Sequence, residues 1–489
     1  MQFTEMIIWF FSLVASPFFP FIIFAILALL TPVIDRVFRG KVAPFWALLN
    51  LAIFAILVLP QWTTIITSPS VSTTLLLDGI SLFFVTLFIV VGVAVIIASI
   101  NYFEENPNKE IYYTLLQLAL LGMMLLSMAV DLIVMFAGWI LVAVSSYTLV
   151  VIRKDNAQGV EAGVKYLIMS AASSAVMLLG ISVIFGLTGS TRLVEISSAW
   201  TTLDPNLVPI ALLGVMLILV GFGFKMGIIP FHMWLPDTYE GAPQPVSAFL
   251  GGGSNKAAFA VAIRVFILGF LIFRFQWTAA FAFLALITMT WGNIAALSQK
   301  TLPRLLAYSA IAQAGYTIIG LAVPTVLGLS GLMFHALNDG LAKTGAFIAA
   351  AAVAFTLTKT KLSGYNGLSK RMPITALSLT ILLLALAGVP PLSGFFSKLI
   401  LFTAAVEVGL LWLALAGVLN SAFSLAYYGW IIKRMFMDEP DEAVTDQPVR
   451  ESRKFQFVLI TLAVATILIG IFSGIILGYI EAIVIGFLP

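Results

Sequence analysis

Long apolar runs separated by short polar breaks dominate this sequence. The runs are at least about 18 residues long, the length needed to cross roughly 30 Å of hydrocarbon. Of all residues 61% are hydrophobic and only 10% are charged, whereas about 25% are charged in soluble domains. We therefore predict an all-α polytopic membrane protein.

The runs predict about fourteen transmembrane helices. We place them near 6–33, 44–66, 79–101, 112–130, 132–152, 163–188, 208–230, 243–273, 277–298, 303–323, 328–357, 373–405, 410–436 and 455–487. The seventh helix is predicted to break at Pro230 and the twelfth at Pro390-Pro391.

Paired interrupted helices in two halves are typical of inverted-repeat transporters with a site at mid-membrane. We therefore predict two inverted five-helix repeats, formed by helices 4–8 and 9–13. Residues 1–110 hold helices 1–3, residues 111–275 the first repeat, residues 276–436 the second repeat, and residues 437–489 a charged loop and the C-terminal helix.

Basic residues are distributed unequally between the two sides of the predicted membrane region. The side reached after odd-numbered helices receives most of them, whereas the other side receives only Arg192 and Arg274. By the positive-inside rule the first side is cytoplasmic. We predict a multi-pass protein of the inner (cytoplasmic) membrane with both termini on the extracytoplasmic side.

Three lysines stand alone inside apolar runs: Lys225, Lys256 and Lys398. A charge at the bilayer centre costs at least about 3 kcal/mol, so each indicates a functional site. Each lies near a proline or glycine interruption, where freed backbone carbonyls and water can serve a charge. Because burial weakens the hold of an ammonium group on its proton, the three are suited to carry protons. The alternative is a lysine that snorkels to the interface or pairs statically with a carboxylate.

A second cluster comprises His335, Asp339 and Lys343 in FHALNDGLAKTGAF. The spacing i, i+4, i+8 places all three on one helical face. The acid lies between two proton carriers, which suits a relay. The alternative is an internally neutralised Asp339–Lys343 pair that lets a polar helix face its neighbours.

Other charged residues have weaker predictions. Asp237 and Glu240 lie in a Pro/Gly-rich turn, where they are expected to cap helix ends or to help admit protons. Glu161 and Lys165 have the spacing of an i, i+4 pair. Arg264, two turns beyond Lys256, requires a partner that the sequence does not identify.

Uncharged polar groups and glycines inside the helices favour structural interpretations. His232 follows the predicted break and is expected to orient the loop. Tyr308, Ser309 and Gln313 are expected to hold water or to join helices by polar contacts. The glycines at 251–253 lie within a membrane helix and indicate close packing or flexibility.

Several features exclude redox chemistry within this chain. It has no cysteine and only two histidines, which removes cysteine-ligated iron–sulfur centres. It also lacks a P-loop, a dinucleotide-binding GxGxxG and HExxH. The net charge of +3 indicates no nucleic-acid partner. We expect neither a cofactor nor a metal in this chain.

Four stretches resemble the antiporter-like membrane subunits of respiratory complex I and its relatives. They are GFGFKMGIIPFHMWLPDTYEGAPQPVSAFL, KTLPRLLAYSAIAQAGY, LALAGVPPLSGFFSKL and GVLNSAFSLAYYGWIIKRMF. A lysine at 398 makes the chain most similar to the N-type subunits. The resemblance implies fourteen helices with inverted repeats of five and a proton path through Lys225, Lys256 and Lys398. Lys343 occupies the lysine position of L-type and cation-antiporter relatives.

The resemblance implies a proton-translocating membrane-arm subunit of a redox-driven translocase, of the NADH- or reduced-deazaflavin:quinone/phenazine oxidoreductase type. Expected partners are other antiporter-like subunits, small helical subunits and a peripheral redox module that carries flavin, iron–sulfur clusters and quinone or phenazine. The alternatives are a subunit of a multi-subunit cation/proton antiporter and a subunit of an energy-converting hydrogenase.

One departure from the family pattern concerns the fifth helix. The family usually reads GWE or GLE there, and the glutamate is the acid partner of the helix-7 lysine. This chain has Ile140 at that position. Either another carboxylate replaces it, with Asp131, Glu110 and Glu161 as candidates, or the half that holds Lys225 works differently or not at all.

Overall fold

The computed structural model describes residues 16–439 and 449–488. The first part of the predicted helix 6–33 and the middle of the charged loop 437–455 lie outside these residues. The described chain is almost entirely helical. Its one described sheet pairs Ser70–Val71 with Leu76–Leu77 in antiparallel register.

The α-helices are Phe19–Val37, Ala43–Val58, Trp62–Thr67, Gly79–Tyr102, Lys109–Met128, Leu132–Val150, Ala157–Thr188, Leu193–Ala199, Val208–Met226, Trp234–Gly241, Gln244–Phe249, Asn255–Arg264, Arg274–Leu297, Leu302–Thr317, Ile319–Ala322, Val326–Leu357, Leu368–Arg371, Pro373–Ala387, Ser393–Glu407, Leu411–Phe436, Arg453–Ile471 and Ser473–Phe487. Short 3-10 turns are Leu59–Gln61, Trp200–Thr202, Pro205–Leu207, Leu271–Phe273 and Leu362–Tyr365, and π-helical segments are Leu250–Ser254 and Val265–Gly269.

Within the described residues, twelve helices are long and apolar enough to cross a membrane. Two shorter apolar helices are Pro373–Ala387 and Ser473–Phe487. The all-α membrane fold is confirmed. The total of fourteen spans and the two inverted repeats stay predictions.

Both predicted helix breaks are present. Gly227 follows the end of the first broken helix and Gly388 that of the second, each with a left-handed backbone, at φ +74° and +87°. Only glycine takes this conformation without steric cost, and the prolines that follow cannot continue a helix. The breaks therefore leave helix ends beside Lys225 and Lys398.

Helix Val326–Leu357, which we name the central helix, packs closely on the helical run at 244–269. A Cβ on Gly252 would lie 2.9 Å from the Gly340 carbonyl oxygen, and one on Gly340 would lie 3.0 Å from the Gly252 carbonyl oxygen. The two backbones meet where neither has a side chain. Of the two interpretations of the glycine triplet, close packing is the one observed.

Candidate functional site

The central helix brings Asp339 to Lys256. The Lys256 Nζ donates to Asp339 Oδ2 and to the Gly251 carbonyl, the latter at 2.9 Å. Both side chains are almost fully buried. Asp339 Oδ1 is also buried and accepts no hydrogen bond from any described residue. The pair therefore joins an ammonium group to a carboxylate, one oxygen of which has no hydrogen-bond donor among the described residues.

The predicted face of His335, Asp339 and Lys343 exists, and all three residues are buried. The predicted alternative of an Asp339–Lys343 pair differs from the structure, because the ion-pair partner of Asp339 is Lys256 on another helix. The spacing within one helix predicts that the three residues share a face. It does not predict which residue of a neighbouring helix contacts them.

Lys343 donates hydrogen bonds to uncharged acceptors. Its Nζ donates to the Leu306 carbonyl at 3.1 Å and to Ser309 Oγ, which also bonds the Tyr428 hydroxyl. Ser309 was expected only to hold water or to join helices. The structure adds direct contact with a buried lysine.

His335 and Lys398 are both neighbours of the Tyr316 ring. His335 Nδ1 and Ser397 Oγ are 2.9 Å apart, while His335 Nε2 is buried without a partner among the described residues. The ring centroids of Tyr316 and His335 are 6.1 Å apart, and Lys398 Nζ is 4.6 Å from the Tyr316 centroid. The Tyr316 ring is therefore a shared neighbour of two groups that can bind protons.

Lys398 caps the C-terminal end of helix Pro373–Ala387, which precedes the second break. Its Nζ donates to the Leu386 and Ala387 carbonyls, both at 3.0 Å, and to Ser421 Oγ at 2.9 Å. The carbonyls at a helix C-terminus lack intrahelical donors and favour a positive charge. This arrangement agrees with the expectation that freed carbonyls at a break serve the lysine.

Lys225 differs from the other three buried lysines because no described residue accepts a hydrogen bond from it or forms an ion pair with it. Its Nζ lies 5.5 Å from the centroid of the Trp139 ring, a distance that allows a cation–π contact. Of the candidate acids, Asp131 accepts from the Ile133 and Val134 amides and from Thr191.

The other two candidate acids are Glu161 and Glu110. Glu161 pairs with Lys165 at 2.8 Å, as its spacing predicts. Glu110 lies in the first turn of helix Lys109–Met128. In the part of the chain that the structure describes, none of the three candidate acids forms an ion pair with Lys225.

Arg264 has the partner that the sequence did not identify. Its guanidinium donates to Asp78 Oδ1 at 2.5 Å and to Oδ2 at 3.1 Å, and its Nε donates to the Ser127 carbonyl. Asp78 also caps helix Gly79–Tyr102. In the sequence, Asp78 stands out as an acid directly before a long apolar helix, and this position could have suggested it as the partner of Arg264.

Asp237 and Glu240 take part in ion pairs. Asp237 pairs with Lys165 at 3.0 Å and with Arg304 at 2.8 Å, and Glu240 pairs with Arg304 at 2.9 Å. We name Glu161, Lys165, Asp237, Glu240 and Arg304 the ionic cluster. It connects the helix of Lys165, the short helix after the first break and the helix of Arg304.

The buried lysines have no access to the membrane surface in this fold. The exposed fractions are 4% for Lys225, 1% for Lys256, 0% for Lys343 and 3% for Lys398. Snorkelling places the charged head in water, so these values argue against it. The arrangement is a set of four buried lysines, of which three have a carboxylate, hydroxyls or carbonyls as hydrogen-bond acceptors.

The sequence comparisons identify relatives. Residues 129–424 match the family described as "NADH:quinone oxidoreductase/Mrp antiporter, TM". The chain is 42% identical over 379 residues to the F(420)H(2) dehydrogenase subunit N of Methanosarcina mazei, with 76% of each chain covered. It is 40% identical over 401 residues to the NADH-quinone oxidoreductase subunit N of Heliobacterium modesticaldum, with 82% of this chain and 83% of that one covered.

Solved structures share the fold. A chain of respiratory complex I from Thermus thermophilus superposes with a TM-score of 0.79 and 28% identity, covering 95% of this chain and 99% of that one. A chain of the Mrp complex from Dietzia sp. gives a TM-score of 0.86 at 20% identity, covering 95% and 96%. The matched family region spans both helix breaks and all four buried lysines, and the chain belongs to the NADH:quinone oxidoreductase/Mrp antiporter transmembrane family.

Proposed function

We propose that this chain is the proton-translocating membrane-arm subunit of a complex I-like respiratory oxidoreductase. Protons pass through Lys225, Lys256, Lys343 and Lys398, with His335 and Asp339 in the relay. A redox module in partner subunits drives the transfer. The observation that carries the proposal is the buried Lys256–Asp339 pair, whose carboxylate keeps one oxygen free.

The charge balance around Asp339 supplies the mechanism. A carboxylate in contact with an ammonium group favours its charged form. If Asp339 turns away from Lys256, the buried ammonium loses its counter-ion, which is strongly unfavourable. Lys256 then releases a proton. Lys343 and Lys398, which have only neutral acceptors, are suited to receive it.

The names of the relatives support a redox-driven complex. The Methanosarcina relative is a subunit of an F(420)H(2) dehydrogenase and the Heliobacterium relative a subunit of an NADH-quinone oxidoreductase. We propose NADH or a reduced deazaflavin as electron donor and a quinone or phenazine as acceptor. Flavin and iron–sulfur clusters belong to the partner subunits in this proposal.

We also propose the partners and placement of the chain. Its neighbours are other antiporter-like subunits, small helical subunits and a peripheral redox module. The distribution of basic residues supports a location in the inner (cytoplasmic) membrane with both termini outside. The division into helices 1–3, two five-helix repeats and a C-terminal segment belongs to the same proposal.

A second candidate is a subunit of a multi-subunit cation/proton antiporter, which the family description and the Mrp fold similarity favour. The membrane arm of an energy-converting hydrogenase is a third. Purification of the complex separates them, because flavin-containing quinone- or phenazine-linked subunits, small antiporter subunits, or a nickel–iron subunit accompany the chain in the three cases.

The proposed function is tested by Lys398→Met in the purified complex, reconstituted in liposomes. The protons moved per electron should fall below the wild-type value, because this chain no longer passes protons while the other antiporter-like subunits of the proposed complex keep their share. Glu407→Gln, at the exposed end of the same helix, is the matched control and should leave the ratio unchanged. A full proton-to-electron ratio in Lys398→Met would contradict the proposal.

A further inference from the structure

A buried glutamine shares a hydrogen-bond acceptor with Lys398. Gln313 lies on helix Leu302–Thr317 and is completely buried. Its Nε2 donates to the Leu386 carbonyl at 2.9 Å, and Lys398 Nζ donates to the same carbonyl at 3.0 Å. This oxygen therefore binds one uncharged donor and one charged donor.

The Leu386 carbonyl needs donors from outside its own helix. Leu386 is the next-to-last residue of helix Pro373–Ala387. In a continuous α-helix its carbonyl would accept from the amide four residues later, but that residue is Pro390, which has no amide hydrogen. Because a buried carbonyl without a donor is unfavourable, the oxygen depends on side chains such as Lys398 and Gln313.

The two donors differ in what they do to the charge of the lysine. Carbonyls at a helix C-terminus favour a positive charge, so they oppose the loss of a proton from Lys398. Gln313 keeps the Leu386 carbonyl bonded whether Lys398 is an ammonium group or an amine. Its N–H also brings the positive end of an amide dipole to the oxygen that the ammonium group binds, which makes the charged form less favourable there.

The helix of Gln313 also contacts a second buried lysine. Ser309 lies one turn before Gln313, so both side chains project from one helical face. Ser309 Oγ accepts from Lys343 Nζ, and Gln313 donates to the acceptor of Lys398. One face of helix Leu302–Thr317 therefore places an uncharged polar group at each of the two lysines.

We propose that Gln313 is a positioning residue for the proton step at Lys398. This inference rests on the proposed function. Gln313 holds the Leu386 carbonyl when the lysine is neutral and offsets part of the preference of the helix end for the ammonium form. The helix end therefore releases the proton more readily than it would with Lys398 as its sole donor.

Other titratable groups surround Lys398 and stay the same when Gln313 is replaced. On the helices that pack against helix Ser393–Glu407, the buried ones are Tyr316 beside Gln313, His335, Asp339 and Lys343 on the central helix, and Tyr427 and Tyr428 on helix Leu411–Phe436. A change in pH dependence on substitution of Gln313 would therefore come from the loss of its own contact.

The first test measures proton translocation by the complex in liposomes at several pH values with Gln313→Met. Methionine has a similar length but no donor. The pH profile should shift toward higher pH by roughly 0.5–1 unit, the equivalent of one net hydrogen bond. Gln299→Met is the matched control, because Gln299 donates to the Ala295 carbonyl at 2.7 Å near the end of helix Arg274–Leu297. It should keep the wild-type profile.

A role in joining helices alone would have a different result. In that case Gln313→Met lowers the thermal stability of the complex in detergent and leaves the pH profile unchanged, which would overturn the inference.

Gln313→Asn provides a second variant if Gln313→Met does not assemble. Asparagine keeps the polarity of the amide but is one methylene shorter, so its nitrogen no longer reaches the Leu386 carbonyl. The profile should shift in the same direction as in Gln313→Met. A wild-type profile in Gln313→Asn would overturn the inference.

The Lys398→Met variant distinguishes the two possible failures. If Lys398→Met lowers the protons moved per electron while the Gln313 variants keep the wild-type pH profile, the role of Gln313 is wrong and the proposed function stands. If Lys398→Met keeps the full ratio, the proposed function itself fails.

Discussion

Lys256 and Asp339 form an ion pair although 83 positions separate them in the chain. Gly252 and Gly340 bring them together, because the absence of side chains lets the central helix approach the helical run at 244–269. Small residues at helix crossings serve the same purpose in other membrane proteins. The ion pair and the glycine contact are therefore two parts of one structural feature.

Replacement of Gly252 by alanine should separate the two helices. The new Cβ would lie 1.8 Å from Thr344 Oγ1 and 2.9 Å from the Gly340 carbonyl oxygen, and such overpacking costs about 1–3 kcal/mol. Thermal unfolding in detergent should show reduced stability, and pumping should decline. Gly186→Ala is the control, because no atom lies within 4 Å of its Cβ. Equal stability of the two variants would contradict the role of the crossing.

Removal of the Ser309 hydroxyl should impair the Lys343 step. Ser309→Ala deletes an acceptor of the lysine and leaves only the Leu306 carbonyl. We expect slower proton translocation with normal assembly, measured in liposomes at several pH values. Ser298→Ala removes a hydroxyl that bonds the Ala295 carbonyl at the surface and should have no effect. An unchanged rate in Ser309→Ala would leave Ser309 with a packing role only.

Restoring an acid at position 140 should change the behaviour of Lys225. Ile140→Glu introduces a carboxylate next to Trp139, whose ring faces the ammonium group. A carboxylate favours the charged lysine, so the pH profile of pumping should shift toward higher pH. Ile140→Gln is the control of similar size without the charge. Identical profiles for the two variants would mean that the acid has no influence on Lys225.

The Arg264–Asp78 pair should behave as a structural ion pair. Arg264→Met leaves Asp78 as an uncompensated buried charge and should cost about 3–5 kcal/mol, whereas replacing both partners by apolar residues is often neutral. The double variant Arg264→Met/Asp78→Asn removes both charges and keeps a side-chain oxygen that can cap helix Gly79–Tyr102, so it should recover most of the thermal stability of the complex. If the double variant is as unstable as the single one, the pair has contacts beyond its mutual charge.

Much of the fold follows from local patterns. Runs of apolar residues predicted the helices, and Pro230 and Pro390-Pro391 marked the breaks, because proline acts on its own helix. The π-helical segments at Leu250–Ser254 and Val265–Gly269 were not predicted. They keep an apolar helical pattern and differ only in backbone hydrogen bonding.

Contacts between residues far apart in the sequence account for most features of the site that the sequence did not predict. The i, i+4, i+8 spacing identified the face of Asp339 but not its partner, which lies on another helix. Arg264 and Asp78 are 186 positions apart, so no periodicity within one helix can connect them. Lys225 shows the converse case, since the missing acid at Ile140 was visible in the sequence and the Trp139 contact was not.

The ammonium group of Lys398 has three hydrogens, and each has an acceptor: the Leu386 carbonyl, the Ala387 carbonyl and the Ser421 hydroxyl. When Lys398 becomes a neutral amine, only two hydrogens remain for three acceptors. Ser421 already donates to the Ala387 carbonyl at 3.1 Å, so it can keep that oxygen bonded. Each acceptor therefore keeps a donor when the proton is lost, and the break at 388–392 should have the same conformation with the charged and with the neutral lysine.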